Sequence, residues 1–255
     1  MHPEKFTQRS ETAIEVEKIK KSFGSLYTLE DVSITLKKNQ FVTVLGPSGC
    51  GKSTLFDIIA GLERPDYGSV QISGTDYTGK TGRVSYMHQK DLLFPWYSIL
   101  KNVCLPLLVK GKDIKQANET ALPYFKTFGL DGFENKYPAQ LSGGMRQRAA
   151  LLRTFLFADD IMLLDEPFGS LDSITRHSMQ MWLLEILDKI KASILFITHD
   201  IDEAVFLSDR IYLLSKRPAV VKKIFDVTIP CPRDNRTFVS PEFIRIKEEI
   251  MNCLD

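Results

Sequence analysis

Residues 46–53, Gly-Pro-Ser-Gly-Cys-Gly-Lys-Ser, fit G-x-x-x-x-G-K-[ST], a spacing whose chemistry is phosphate binding. Glycines let a backbone turn tightly and approach a ligand closely. Successive N–H groups then converge on an anion at the positive end of a helix dipole. On this pattern Lys52 reaches the β- and γ-phosphates and the Ser53 hydroxyl binds Mg²⁺. A second set is Asp165-Glu166, behind the apolar run 161–164. Alone it reads equally well as a charged turn after a strand. Beside a phosphate loop, Asp165 becomes the expected Mg²⁺ partner and Glu166 the carboxylate that polarises the attacking water. Of the four histidines, only His199 follows a buried strand of this kind, residues 194–197. There it can face a γ-phosphate, although a lone histidine is more often structural. Ser142, Gly143 and Gly144 precede a helical run and make a second anion-binding helix start, or simply a capped helix. Phe23 could stack on a nucleobase; spacing alone favours a core or turn-packing phenylalanine.

The flanks of these residues decide what can position them. Residues 41–45, FVTVL, form an apolar β-branched run, and Leu55, Ile58, Ile59 and Leu62 then recur at helical spacing. The glycine loop thus joins a strand to a helix, the context its chemistry needs, and an ordinary glycine turn becomes the weaker reading. Ile14 and Val16, then Val32, Ile34 and Leu36, alternate as in half-solvated antiparallel strands, and Val70 and Ile72 add another. Residues 1–12 read as a loose tail. From residue 90 to 140 strand signals fade into a helical insert, where Pro123 should kink or divide the helix at 112–127. Leu183, Ile186, Leu187 and Ile190 stripe a core helix, and residues 211–214 form a last buried strand. Residues 218–255, richer in proline and charge, read as a small appendage.

The whole chain bounds the rest. Its 255 residues suffice for one large α/β domain or two small ones. A net charge of +1 gives no broad basic footprint for nucleic acid. Cys50, Cys104, Cys231 and Cys253 have neither metal-like nor disulfide-like spacing, which suits a reduced compartment. The N-terminal segment is polar, without an apolar h-region, and no run approaches the ~18 apolar residues of a membrane span. If the protein works at a membrane, another chain crosses it.

These parts, in this order, resemble the ATP-binding-cassette (ABC) ATPases over residues 14–215. GPSGCGKST (46–54) resembles the family's Walker A, LSGGMRQR (141–148) its signature and IMLLDEP (161–167) its Walker B. Gln89 fits the Q-loop glutamine, Ser170-Leu171-Asp172 the D-loop and His199 the switch histidine. The resemblance implies an α/β fold with a RecA-like P-loop NTPase core, an antiparallel β-subdomain and an inserted α-helical subdomain. The expected division is 1–88 (β-subdomain and first part of the core), 89–153 (Q-loop and helical subdomain), 154–217 (rest of the core) and 218–255 (C-terminal appendage). The implied catalytic set is Glu166, His199, Lys52 and Gln89, with Ser53, Gln89 and Asp165 for Mg²⁺. ATP would be held by Gly46, Ser48, Gly49, Cys50, Gly51, Lys52, Ser53 and Thr54, with Phe23 stacked on adenine, against the spacing-based reading. Asp172 of the D-loop joins the ATP-binding set; family members dimerise head to tail, so Ser142, Gly143, Gly144 and Gln147 would serve the nucleotide of a second copy.

Among ABC ATPases, DNA-repair members carry long coiled-coil insertions between Walker A and signature; here only residues 55–140 separate them, without heptads. Translation-associated members carry two cassettes, and this chain has one. Exporter cassettes are often fused to membrane helices, although split exporters exist. Leu93-Phe94-Pro95-Trp96 resembles a stretch of importer cassettes for nitrate, sulfonate, taurine and related compounds, a group that includes cassettes for thiamine pyrimidine precursors. The expectation is therefore an importer ATPase at the cytoplasmic face of the cell membrane. Its partners would be transmembrane permease subunits and, indirectly, a substrate-binding protein, with no nucleic acid. Leu92, Leu93, Phe94, Trp96 and Tyr97 form an apolar cluster that reads equally as core of the helical insert or as a partner site; on the resemblance, Phe94 and Trp96 would line a docking groove for the permease.

Overall fold

The computed structural model describes residues 12–157 and 160–254. In chain order the strands and helices are β1 (Thr12–Phe23), β2 (Leu26–Lys37), β3 (Phe41–Leu45), α1 (Lys52–Ile59), β4 (Tyr67–Ile72), β5 (Thr75–Asp76) and β6 (Ser85–Met87). There follow α2 (Ile99–Val109), α3 (Ile114–Thr127), α4 (Gly143–Phe155), β7 (Ile161–Asp165) and α5 (Ser173–Ile190). The chain closes with β8 (Ser193–Thr198), α6 (Ile201–Leu207), β9 (Arg210–Leu214), β10 (Val221–Asp226) and α7 (Pro241–Leu254). The expected tail at 1–12 lies outside the described residues except for Thr12, which opens β1.

Two sheets divide the work. The first has the order β2-β1-β4-β5 and is antiparallel throughout. The second has the order β10-β9-β3-β8-β7-β6; its inner pairs are parallel and only β10 runs antiparallel, at an edge. The period of two along the parallel strands splits their side chains between two cores. Val42, Val44, Leu163, Leu195 and Ile197 face Ile14, Val16, Val32 and Ile34 of the antiparallel sheet, with Leu55, Phe56 and Ile59 of α1 between. Phe41, Leu45, Met162, Leu164, Ile194 and Phe196 face the helices on the other side. Every residue of β3 and β7 is buried, which is why those segments read as continuous apolar runs.

The helical insert holds α2, α3 and α4. Pro123 does not divide α3, which runs unbroken from Ile114 to Thr127. The amide hydrogen that proline lacks would have bonded the carbonyl of Glu119, and both residues are exposed, so water can satisfy that oxygen. Residues 218–254 are partly built into the core. β10 pairs with β9, and the turn before it is tied to β2 by Ala219 N–H donating to Thr28 O (2.9 Å) and Glu30 N–H to Ala219 O (2.8 Å).

Candidate functional site

The C-terminal ends of four adjacent parallel strands carry the candidate residues. Reading across the sheet, the glycine loop follows β3, His199 follows β8, Asp165 ends β7 with Glu166 next, and Gln89 lies two residues past β6. Such sheets place ligands at this edge. The loop needs its glycines: Gly51 caps α1 at φ 124°, and a Cβ there would lie 2.9 Å from side-chain carbons of both Thr28 and Leu29. At Gly46 a Cβ would come within 3.1 Å of Leu214 Cβ.

Glu166 is the hub. Its Oε2 lies 3.1 Å from His199 Nδ1 and accepts from Gln89 Nε2 at 3.3 Å, while Oε1 is 3.9 Å from Lys52 Nζ. Its backbone sits at φ 43°, a left-handed conformation unusual outside glycine, held by its N–H donating to Ile197 O at 3.0 Å. The buried Lys52 ammonium also donates to Gly46 O (2.8 Å) and Pro47 O (3.0 Å). Asp165 is buried, and burial pushes its carboxyl above the usual carboxylate range; the Ser53 hydroxyl donates to it and pulls the other way. Tyr86 Oη donates to Asp165 Oδ2 at 3.4 Å.

Lys52, Ser53, Gln89, Asp165 and Glu166 open on a cleft of 430 Å³, whose lining does not include His199. Phe23, Ser48, Gly49, Gly51, Lys52, Ser53 and Thr54 line it with Gln89, Asp165 and Glu166. Phe23 is 47% exposed, which rules out the core half of the core-or-turn-packing reading that spacing favoured; Lys21 Nζ stands 5.0 Å from its ring centre. Cys50 is buried, its thiol pushed up by burial, so it can offer a ligand only its backbone. Sequence reasoning missed Leu26, Thr28 and Arg217, which also line the cleft. Arg217 Nε donates to Gly49 O at 2.8 Å, and its Nη2 bonds the same oxygen. No motif marks that arginine, which lies far along the chain.

Ser142, Gly143, Gly144, Gln147 and Asp172 do not line this cleft. The serine is exposed at the start of α4, its Oγ accepting from Met145 N–H at 3.3 Å. A Cβ on Gly143 would lie 3.3 Å from Leu171 Cδ2, and one on Gly144 3.1 Å from Thr175 Cγ2. The serine-glycine helix start therefore packs directly against the loop that holds Asp172. Gln147 departs from its expected place at a nucleotide: it is 4% exposed and sits among Met87, Leu164, Phe168 and Met179. The physical reason is helical spacing, since residue 147 shares the buried face of α4 with Gly144 and Leu151.

The sequence matches the ABC transporter family over residues 29–169. The chain belongs to the ABC transporter ATPases. The cassette is 48% identical over 190 residues to the formylaminopyrimidine import ATP-binding protein ThiZ of Halalkalibacterium halodurans, covering 74% of each chain. It is 40% identical over 231 residues to the aliphatic sulfonates import ATP-binding protein SsuB of Bacillus cereus, covering 91% of this chain and 90% of that one. An uncharacterized ABC transporter ATP-binding protein of Methanocaldococcus jannaschii is 41% identical over 250 residues, 96% of this chain and 92% of its own. In structure the cassette resembles the dimeric bacterial ABC transporter cassette MJ0796, with TM-score 0.73, 29% identity and coverage of 85% of this chain and 100% of that one. A post-hydrolysis state of MJ0796 bound to ADP and Pi superposes with TM-score 0.72. The fold is thus the RecA-like α/β ATPase fold, and the protein is an ABC transporter ATP-binding subunit. No helix among the described residues is long and apolar enough to cross a membrane.

One buried amide organises the segment after Gln89. Asn102 accepts from Phe94 N–H (2.7 Å) and donates to Phe94 O, Tyr97 O and Ser98 O (3.1 Å each). Arg153 of α4 donates to Asp91 O (2.6 Å) and Leu92 O (2.7 Å). Leu93 turns into the core, but Phe94 is 41% and Trp96 66% exposed. The rings of Phe94, Trp96 and Tyr97 cluster with centres 5.3–6.2 Å apart. Asn102→Ala would strand the Phe94 N–H and take the side-chain donor from Tyr97 O, while Phe94 O and Ser98 O keep the backbone N–H groups of Tyr97 and Asn102. The expected loss is about 2–4 kcal/mol of stability, read from the urea unfolding midpoint at unchanged slope.

Proposed function

We propose that the cassette hydrolyses ATP to drive a membrane importer, and that its substrate is a small anion of the nitrate, sulfonate or taurine type or a related metabolite such as a pyrimidine precursor. The observation that carries this is the aromatic cluster Phe94–Trp96–Tyr97, exposed at Phe94 and Trp96 and tied by Asn102 a few residues past Gln89. Apolar surface of that kind marks a partner site, and the import ATPases ThiZ and SsuB align across it.

The chemistry follows from the cleft. The adenine of ATP stacks on Phe23, and the glycine loop wraps the phosphates with its N–H groups. Lys52 neutralises the β- and γ-phosphate oxygens. Glu166 accepts a proton from the attacking water, and His199 and Gln89, both within reach of Glu166, orient that water and the γ-phosphate. Ser53, Asp165 and Gln89 would hold Mg²⁺, which when bound supplies charge neutralisation across the phosphates. The donor set suits it: hard oxygens with a single buried carboxylate, the pattern of sites that the substrate's own phosphates complete. Two copies assemble, a reading supported by the dimeric structure of the MJ0796 cassette, and they do so head to tail, so that Ser142, Gly143 and Gly144 of one close on the nucleotide of the other. Gln89 couples the cleft to the aromatic cluster, which docks on a cytoplasmic helix of a permease fed by an external binding protein. The cassette then works at the cytoplasmic face of the membrane.

Trp96→Asp tests this reading. The isolated variant should keep its ATPase rate within about twofold, because Trp96 does not line the cleft, while a desolvated carboxylate at an apolar interface costs about 2–4 kcal/mol of permease binding. Substrate uptake by the reconstituted complex should fall at least tenfold. Unchanged uptake, or a complex that only expels substrate, would remove the importer assignment.

A further inference from the structure

The buried carboxylate of Glu203 has no part in the chemistry above, yet it is embedded around His199. Glu203 lies on α6 and is 5% exposed. Its Oε2 accepts from the Thr198 hydroxyl at 2.6 Å and its Oε1 from Gln180 Nε2 at 3.1 Å. The Thr198 hydroxyl in turn accepts Asp200 N–H at 3.0 Å, and Asp200 Oδ1 accepts the N–H groups of Asp202 (2.8 Å) and Glu203 (3.1 Å). The residues on both sides of His199 are therefore locked to one another and to the start of α6.

A single guanidinium joins this lock to a different loop. Arg176, in the first turn of α5, donates from Nη2 to Leu171 O at 3.0 Å. Its Nη1 is 3.7 Å from Asp200 Oδ2 and its Nε 4.0 Å from Glu203 Oε1. That Nε is buried with no hydrogen-bond partner among the described residues. The planar fork of an arginine suits such a three-way contact. Leu171 also closes over Gly143 at the start of α4, so the contacts run without a gap from the serine-glycine helix start, through Leu171 and Arg176, to the residues that hold His199 against Glu166.

We propose that Arg176 is a positioning residue for hydrolysis: it ties the loop 169–172 to the Thr198–Asp200 segment and so sets His199 against Glu166. Through this contact, the loop beside one copy's signature helix controls the histidine of the same copy's catalytic cleft. The inference rests on the ATPase reading of that cleft. Removing the guanidinium leaves Asp200 and the buried Glu203 without their cation and frees Leu171 O, and a buried polar network missing one member loosens as a whole.

Contiguity alone does not establish coupling, so the test is a double-mutant cycle on ATP hydrolysis with His199→Ala. Arg176→Ala should lower kcat about tenfold while the Kd for ATP stays within about twofold. In the His199→Ala background the same change should add less than twofold, because the group it positions is gone. Arg176→Lys, which keeps the charge but not the fork, should recover part of the loss. Glu203→Gln, which keeps an acceptor for the Thr198 hydroxyl, serves if Arg176→Ala does not fold, and it should show the same non-additivity. With ¹⁵N-histidine labelling, Arg176→Ala should move the ring signals of His199 and its α5 neighbour His177 and leave those of His88 in place. A further tenfold loss in the His199→Ala background, or wild-type kcat in Arg176→Ala, overturns the assignment of Arg176 and leaves the ATPase reading standing. Wild-type kcat in His199→Ala overturns both.

Discussion

Glu166→Gln should bind ATP as tightly as the parent chain and hydrolyse it two to four orders of magnitude more slowly. The substitution is isosteric: it keeps the contact with Gln89, the N–H bond to Ile197 O and the backbone at φ 43°. It removes the one carboxylate that, among the described residues, stands within 4 Å of Lys52 and His199 together. A positioned general base contributes about 10²–10⁴ in rate, and phosphoryl transfer otherwise rests on positioning and charge, which the variant retains. ATP bound without turnover should also hold two copies closed, so size-exclusion chromatography with ATP should show a dimer that the parent chain does not accumulate. Phosphate release within tenfold of the parent rate would move the base elsewhere.

The second large effect is complementation between two dead chains. Ser142→Arg blocks the helix start at α4, and Lys52→Ala removes the cation of the phosphate loop. Each homodimer then has two broken sites. In a head-to-tail heterodimer one site keeps Lys52 from one copy and Ser142 from the other, and the second site carries both lesions. An equimolar mixture of two inactive chains should therefore regain up to about a quarter of the parent rate if the sites turn over independently, half the dimers being mixed with one good site each. The structure motivates the design: Ser142 is exposed and outside the cleft that Lys52 lines, so an arginine there leaves its own chain's cleft intact. Radiolabelled phosphate release across a titration of one chain into the other gives the answer. If Ser142 acted on its own chain's nucleotide, every mixing ratio would stay inactive.

The sequence by itself determined the chemistry-bearing ends of the strands. A phosphate loop needs glycine where backbone and neighbours leave no room for a Cβ, as at Gly51, and that demand is written in residue types at fixed spacing. Buried parallel strands need apolar runs, so the segments ending at Leu45, Asp165 and Thr198 were legible, together with the residues that follow them. The alternating strands of the antiparallel sheet and the capped start of α4 were legible for the same local reasons.

Only the tertiary structure decided what depends on which face meets which neighbour. Phe23 and Leu93 are both apolar residues next to a turn, yet one rims the cleft and the other enters the core. Gln147 belongs to a recognisable motif, but the pitch of α4 carries it inside. Residues 221–226 have no strong strand period, and they form a strand because the edge of β9 offers unpaired backbone groups. Arg217 and Arg176 carry no local signal; each matters through carbonyls that the fold brings to it, Gly49 O across most of the chain and Leu171 O beside the residues around His199. Period and motif report on the backbone within a few residues, whereas burial, ion pairing and the cleft itself arise from contacts between segments remote in sequence, which exist only once the two cores have packed.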